Sequence, residues 1–200
     1  VTLWRWLLVA VATYSACHHL GSLPGGLGQT VDGTRWVDWV DLTTPLLVLG
    51  PLGLALRAGG ARPGEWGLAG VGAVVYGMGH GIHLAANSVG NVAPGPTAHL
   101  WDEPVGHHVW FAGLALVVAA LARVLARTPR PGGAGPWVLA GIAGVTWGTN
   151  AVGGGTEVMS TVLAVAALAH AVRRRDSAAV LLLPACLTAL VALLVALTTQ

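Results

Sequence analysis

Residues 66–89 read Trp66-Gly-Leu-Ala-Gly-Val-Gly-Ala-Val-Val-Tyr76-Gly-Met-Gly-His80-Gly-Ile-His83-Leu-Ala-Ala-Asn87-Ser-Val89. No Asp, Glu, Lys or Arg interrupts the run. It is longer than the roughly 20 residues an α-helix needs to cross about 30 Å of hydrocarbon. One half of it nevertheless carries two imidazoles and an amide. Ionisable side chains at membrane depth are costly and by default mark function, facing a bundle interior or a wet cavity. The stretch therefore implies both a membrane-spanning fold and a polar site inside it.

The rest of the chain repeats the pattern. It is 54% hydrophobic and only 9% charged, with a mean hydropathy of +0.70, outside the usual range of soluble domains. Apolar runs predict seven spans, at about 3–20, 37–57, 66–89, 100–126, 136–153, 156–172 and 177–198. The run ending Tyr14-Ser-Ala-Cys17 has the length of a secretory leader but is read as the first span. The connections are short and rich in turn formers, such as Pro94-Gly-Pro and Pro129-Arg-Pro-Gly-Gly. The expected fold is an all-α integral membrane protein, one seven-helix transmembrane domain over residues 1–200.

Arginine placement orients it. Arg57 and Arg62, then Arg123, Arg127 and Arg130, then Arg173 to Arg175 fall in alternate connections, which the positive-inside rule makes cytoplasmic. The N-terminus is expected inside and the C-terminus outside. Trp4, Trp6, Trp66 and Trp137 then lie near the inner interface and Trp36, Trp39 and Trp101 near the outer one, while Trp110 and Trp147 are deeper and suit cavity walls. All basic residues are Arg, as expected of a GC-rich, bacterial genome. The formal charge of +2 and the lack of a basic stripe argue against a nucleic-acid partner. Cys17 and Cys186 are read as buried thiols, not a disulfide framework.

Threaded through this topology, the polar residues gather at one face. His18 and His19 end span one, and Asp38 and Asp41 begin span two. His80, His83 and Asn87 lie in the outer half of span three, and His99, Asp102, Glu103, His107 and His108 open span four. Asn150 closes span five and Glu157 opens span six. Every histidine except His170 is on the outer side. At helical spacing Tyr76, His80, His83 and Asn87 share one stripe, and His99, Glu103, His107 and Trp110 another. At 1.5 Å per residue, His80 lies about 13 Å and His107 about 10 Å below the outer ends of their spans, so the two can meet.

Imidazole and carboxylate are the usual ligands of zinc, iron and copper, and ligating histidines need outer partners to fix their tautomers. His80, His83 and His107 are the expected ligands, with Asp41 or Glu103 as a fourth and His18 and His108 next. Asn87, Tyr14, Tyr76, Asp102, Glu157, Thr161, Asn150 and Trp110 are expected to support that group or touch substrate. Adjacent His18-His19 and His107-His108 diverge by about 100°, so one of each pair is expected at a single ion. Against a site, Asp38, Asp102 and Glu103 also suit helix N-termini through the helix dipole. Span seven is expected to face lipid and contribute packing only.

Seven spans carrying His, Asp and Asn resemble the broad superfamily of seven-helix membrane hydrolases that includes alkaline ceramidases. In that pattern the last helix supplies a His-x-x-x-His pair. Span seven here has no histidine, so no residue role is carried over. The reading that follows from the residues is a cell-membrane, multi-pass, metal-dependent enzyme whose site faces the extracytoplasmic side. The expected chemistry is hydrolysis of a lipid or amphiphile from the outer leaflet by metal-activated water, zinc favoured, with Glu103 or Asp41 as base. The alternatives are a two-ion iron or copper oxidoreductase, a haem redox protein and a metal-ion transporter or sensor. The inner halves of the spans hold no ionisable residue before His170, which argues against transport.

Overall fold

The computed structural model describes residues 2–199. The chain is 83% helical, with no strand among the described residues. Its elements are α1 (Thr2–Gly21), α2 (Trp36–Asp41), α3 (Thr44–Ala58), α4 (Pro63–Val92), α5 (Pro96–Leu100), α6 (His107–Leu125), α7 (Gly135–Gly153), α8 (Glu157–Arg174) and α9 (Ser177–Thr199). A 3-10 turn, Pro24–Leu27, lies in the first connection, and a π-helical turn, Trp101–Gly106, joins α5 to α6.

Four segments are long and apolar enough to cross a membrane: Trp36–Ala58, Pro63–Val92, Pro96–Leu125 and Ser177–Thr199. A membrane protein follows from them. α1, α7 and α8 are of comparable length, but their Arg, His, Trp, Gly or Asn residues lower their hydropathy.

Local sequence sets the helix ends. Pro45, Pro63 and Pro136 stand in first turns, where a missing N–H costs nothing. At α4 the Arg62 main-chain N–H donates to Glu65 Oε2 (2.8 Å). Arg127 reaches across from the end of α6 to the same carboxylate, its Nη2 donating to Glu65 Oε2 at 2.7 Å.

Glycines set the packing. α4 and α6 are antiparallel, with backbones nearly touching at three levels. A Cβ on Gly113 would fall on the main chain of Tyr76, one on Gly79 on that of Trp110, and one on Gly106 on that of His83. Small residues at such crossings let membrane helices approach closely. The consequence is functional, because His83 and His107 stand beside the uppermost crossing. α7 and α9 pack in parallel by the same device, with Gly144 against Ala185 and Gly148 against Ala189. α1 is tied to α7 by a Ser15–Thr146 hydroxyl hydrogen bond (2.8 Å) and to α3 by Thr13 Oγ1 donating to Leu47 O (2.8 Å).

The last helix has two faces. Leu187, Val191, Leu194 and Leu197 are exposed, as expected of a lipid-facing flank. Val180, Leu182, Cys186, Ala189 and Leu193 are buried, so α9 also closes the bundle against α7 and α8. Trp36, Trp39, Trp66, Trp101 and Trp137 are exposed, and Trp110 is buried.

Candidate metal centre

Two prolines prepare the site. The main-chain oxygen of Asp41 would receive the N–H of residue 45 in a continuous helix, but residue 45 is proline and has none. The helix breaks at Leu42–Thr43, and His80 Nε2 donates to Asp41 O instead (2.9 Å). A carbonyl only accepts, so His80 carries its proton on Nε2. Its Nδ1 is buried with no hydrogen-bond partner.

Pro104 lies within the π turn and returns no N–H to Leu100 O, four residues back. Main-chain oxygens there turn toward histidines, and His107 Nδ1 lies 3.1 Å from Asp102 O and 3.2 Å from Glu103 O. The Nδ1–H therefore points at backbone, and Nε2 keeps a free lone pair. Fixing the tautomer by a carbonyl on the opposite ring nitrogen is how proteins prepare a ligating imidazole. Gly154 covers the ring, and a Cβ there would fall on its Cγ, Cδ2 and Nε2 atoms.

The π turn also changes which carboxylate joins His107. At 3.6 residues per turn Glu103 shares its face; a π turn brings together residues five apart, and those are Asp102 and His107. One ligand atom each from His83, Asp102 and His107 lies within 4.8 Å of the others, and the rings of His83 and His107 stand edge to face at 4.4 Å. His83 Nδ1 and Asp102 Oδ1 are 2.6 Å apart. The ring N–H is not aimed at the carboxylate, so neither buried atom has a hydrogen bond. Such a pair is costly unless a cation beside both atoms satisfies them. This His/Asp/His group could hold a metal ion.

The other expected residues fall into three positions. Around the group, a cavity of about 210 Å³ is lined by His18, Asp41, Asn87, Glu103, Trp110 and Asn150, as well as His83 and His107. Glu103 Oε2 is 3.5 Å from His107 Nδ1 and makes no hydrogen bond. Asp41 Oδ2 is 3.5 Å from His80 Nε2, while Oδ1 accepts from Thr44 Oγ1 (2.8 Å). His18 Nε2 hydrogen-bonds the Thr149 hydroxyl (3.2 Å).

Beneath lie His80, Tyr76, Tyr14 and Trp110. Tyr76 stacks on His80 and meets Trp110 edge-on, making an aromatic floor. Away from the centre, His108 is exposed and its Nδ1 donates to Pro104 O. Thr161 is exposed, and Glu157 does not line the cavity. Adjacent His107 and His108 do diverge, one inward and one out.

The sequence reading passed over Asp38 and Arg35 as site residues. Arg35 Nη2 donates to Asp38 Oδ1 (2.7 Å), and Asn87 and Ser88 donate to the same carboxylate. Both residues line the cavity rim. The i, i+3 spacing of Arg35 and Asp38 was the available signal.

Fold and site together define a helical membrane protein with a partly buried His/Asp/His group that could hold a metal ion. No family model, no curated protein and no solved structure matches the chain.

Proposed function

We propose that the chain is a seven-helix membrane enzyme, N-terminus inside, that binds one metal ion on His83, Asp102 and His107 and hydrolyses an amphiphile at its extracytoplasmic face. The observation that carries this is the His83 Nδ1–Asp102 Oδ1 pair, 2.6 Å apart and without a hydrogen bond, beside a histidine whose Nδ1 is held by backbone. Three N/O ligands leave a fourth position for water, the arrangement of catalytic zinc. Zinc held by these three residues would supply a hydroxide at that position near neutral pH. Glu103 lines the cavity, is partly open to it and has a free carboxylate oxygen, which suits the base that takes the proton.

The cavity, about 210 Å³, is smaller than the usual ~300–1,000 Å³ ligand pocket. A head group fits it and a whole lipid does not, so the chain of the amphiphile stays outside the metal site. The same volume counts against haem. The aromatic floor of Tyr14, Tyr76 and Trp110 counts against an ion path through the membrane.

The test is metal analysis and absorption spectroscopy on purified protein, followed by hydrolysis of ester and amide amphiphiles. Stoichiometric zinc, lost from His83→Ala and His107→Ala, is the expected result. Glu103→Gln should keep the zinc and lose about 10²–10⁴-fold in rate. Zinc bound equally by the double histidine variant would overturn the site, and topology reporters placing residues 91–100 in the cytoplasm would overturn the sidedness.

A further inference from the structure

Beyond the aromatic floor lies a second, larger cavity of about 730 Å³, well within the size range of ligand sites. It runs between α1, α6, α7, α8 and α9, and along α6 it extends from Phe111 to Arg127. That is about 24 Å at 1.5 Å per residue, more than the ~15 Å of one hydrocarbon leaflet. Its long walls are Leu, Val and Ala. At the end nearest the histidines stand Tyr14, Phe111 and Trp147. The far end is ionic, with Arg123, Arg127, Arg174, His170, Glu65 and Asp176.

The charges at that far end are not balanced. Arg127 is engaged by Glu65, and Asp176 Oδ1 accepts the Ala178 N–H at the start of α9 (2.9 Å). Arg123 and Arg174 form no ion pair among the described residues. A long apolar cleft therefore ends at two exposed guanidiniums that have no carboxylate partner among the described residues, groups whose planar donors match carboxylate and phosphate.

We propose that this cavity binds one long-chain amphiphile with an anionic head group, its chain in the cleft and its carboxylate or phosphate on Arg123 and Arg174. A neutral lipid leaves the two cations without a partner. A small soluble anion leaves the apolar volume unfilled. The chain points toward Trp147, whose indole N–H donates to Ser160 Oγ (3.2 Å) at the cleft wall. The arginine end of this site lies at the opposite end of the bundle from His83 and His107, and the proposal does not depend on the metal reading.

Tryptophan fluorescence reports it directly, with the full chain in nanodiscs of zwitterionic lipid. The probes are stearic acid carrying a doxyl quencher at carbon 16, its methyl ester, and phosphatidylglycerol with the same labelled chain. The free acid, the phosphatidylglycerol or both should give saturable quenching that unlabelled stearate or phosphatidylglycerol reverses and that Trp147→Phe removes. Which of them saturates identifies a free fatty acid or an anionic phospholipid as the source. Arg123→Gln with Arg174→Gln should raise the half-saturation point at least tenfold. Ala115→Phe, which fills the cleft about 12 Å along α6 from Arg123, should abolish the saturable phase. Equal quenching by the methyl ester, an unchanged half-point in the double Gln variant, or no saturable phase with either anionic probe overturns the proposal.

Discussion

His80 donates its Nε2 proton to the main-chain oxygen of Asp41, 2.9 Å away, because Pro45 has no N–H to offer that oxygen. The imidazole thus braces the break between α2 and α3 from a neighbouring helix. It is 1% exposed and stands a turn below the His83 group, its ring 6.1 Å from that of His83. In this geometry His80 braces the chain, and it lies outside the His83, Asp102 and His107 group.

His80→Ala should therefore leave Asp41 O buried and unpaired, at a cost of about 1–3 kcal/mol. A lower unfolding temperature in detergent, with metal content unchanged, is the expected outcome. Metal lost from His80→Ala at unaltered thermal stability would make His80 a ligand after all.

Pro104→Ala probes the other preparation. Alanine restores a main-chain N–H in the π turn and lets α5 run into α6 as ordinary α-helix. His107 would lose its Asp102 O contact, and Asp102 would rotate off its face. Such outer partners are typically worth 10–100-fold in metal affinity, so isothermal titration should show a loss in that range with helicity by circular dichroism preserved.

These two residues show what the sequence could and could not disclose. The helical segments lie within a few residues of the expected spans, because long apolar runs and prolines act locally. The gathering of His18, Asp41, His83, Asn87, Glu103, His107 and Asn150 around one cavity followed from the same threading. Of the three residues that come together, His83 and His107 were expected ligands, whereas Asp102 was expected only in support. A straight helix of 3.6 residues per turn pairs Glu103 with His107, whereas the π turn substitutes Asp102. The sequence also hid the partner of His80, since a proline announces an orphaned carbonyl but not which side chain will reach it. The large apolar cavity depends on how far α6 and α8 stand apart, for which alanine-rich segments give no signal.

Gly113→Val and Gly79→Val test the α4–α6 crossing. Each places side-chain atoms on opposing backbone, where neither helix can yield by changing a rotamer. Overpacking of this kind costs about 1–3 kcal/mol or more. Because His83 and His107 sit on the two separated helices, metal affinity should fall along with thermal stability. Gly81→Val, facing open space on the same helix, should change neither.

Acid should release the metal. Only neutral imidazole ligates, so binding a metal to His83 and His107 displaces protons, and apparent affinity must fall as pH is lowered. Metal bound at 100 times its dissociation constant stabilises the fold by about 2.7 kcal/mol. Chelator should accordingly lower the unfolding temperature at neutral pH and do so progressively less on acidification, as the ion is lost beforehand. The measurement is a pair of melting curves, with and without chelator, across the imidazole titration range. In the His83→Ala and Asp102→Ala variants the two curves should coincide at every pH. A chelator effect that persists in both variants would place the ion elsewhere in the bundle.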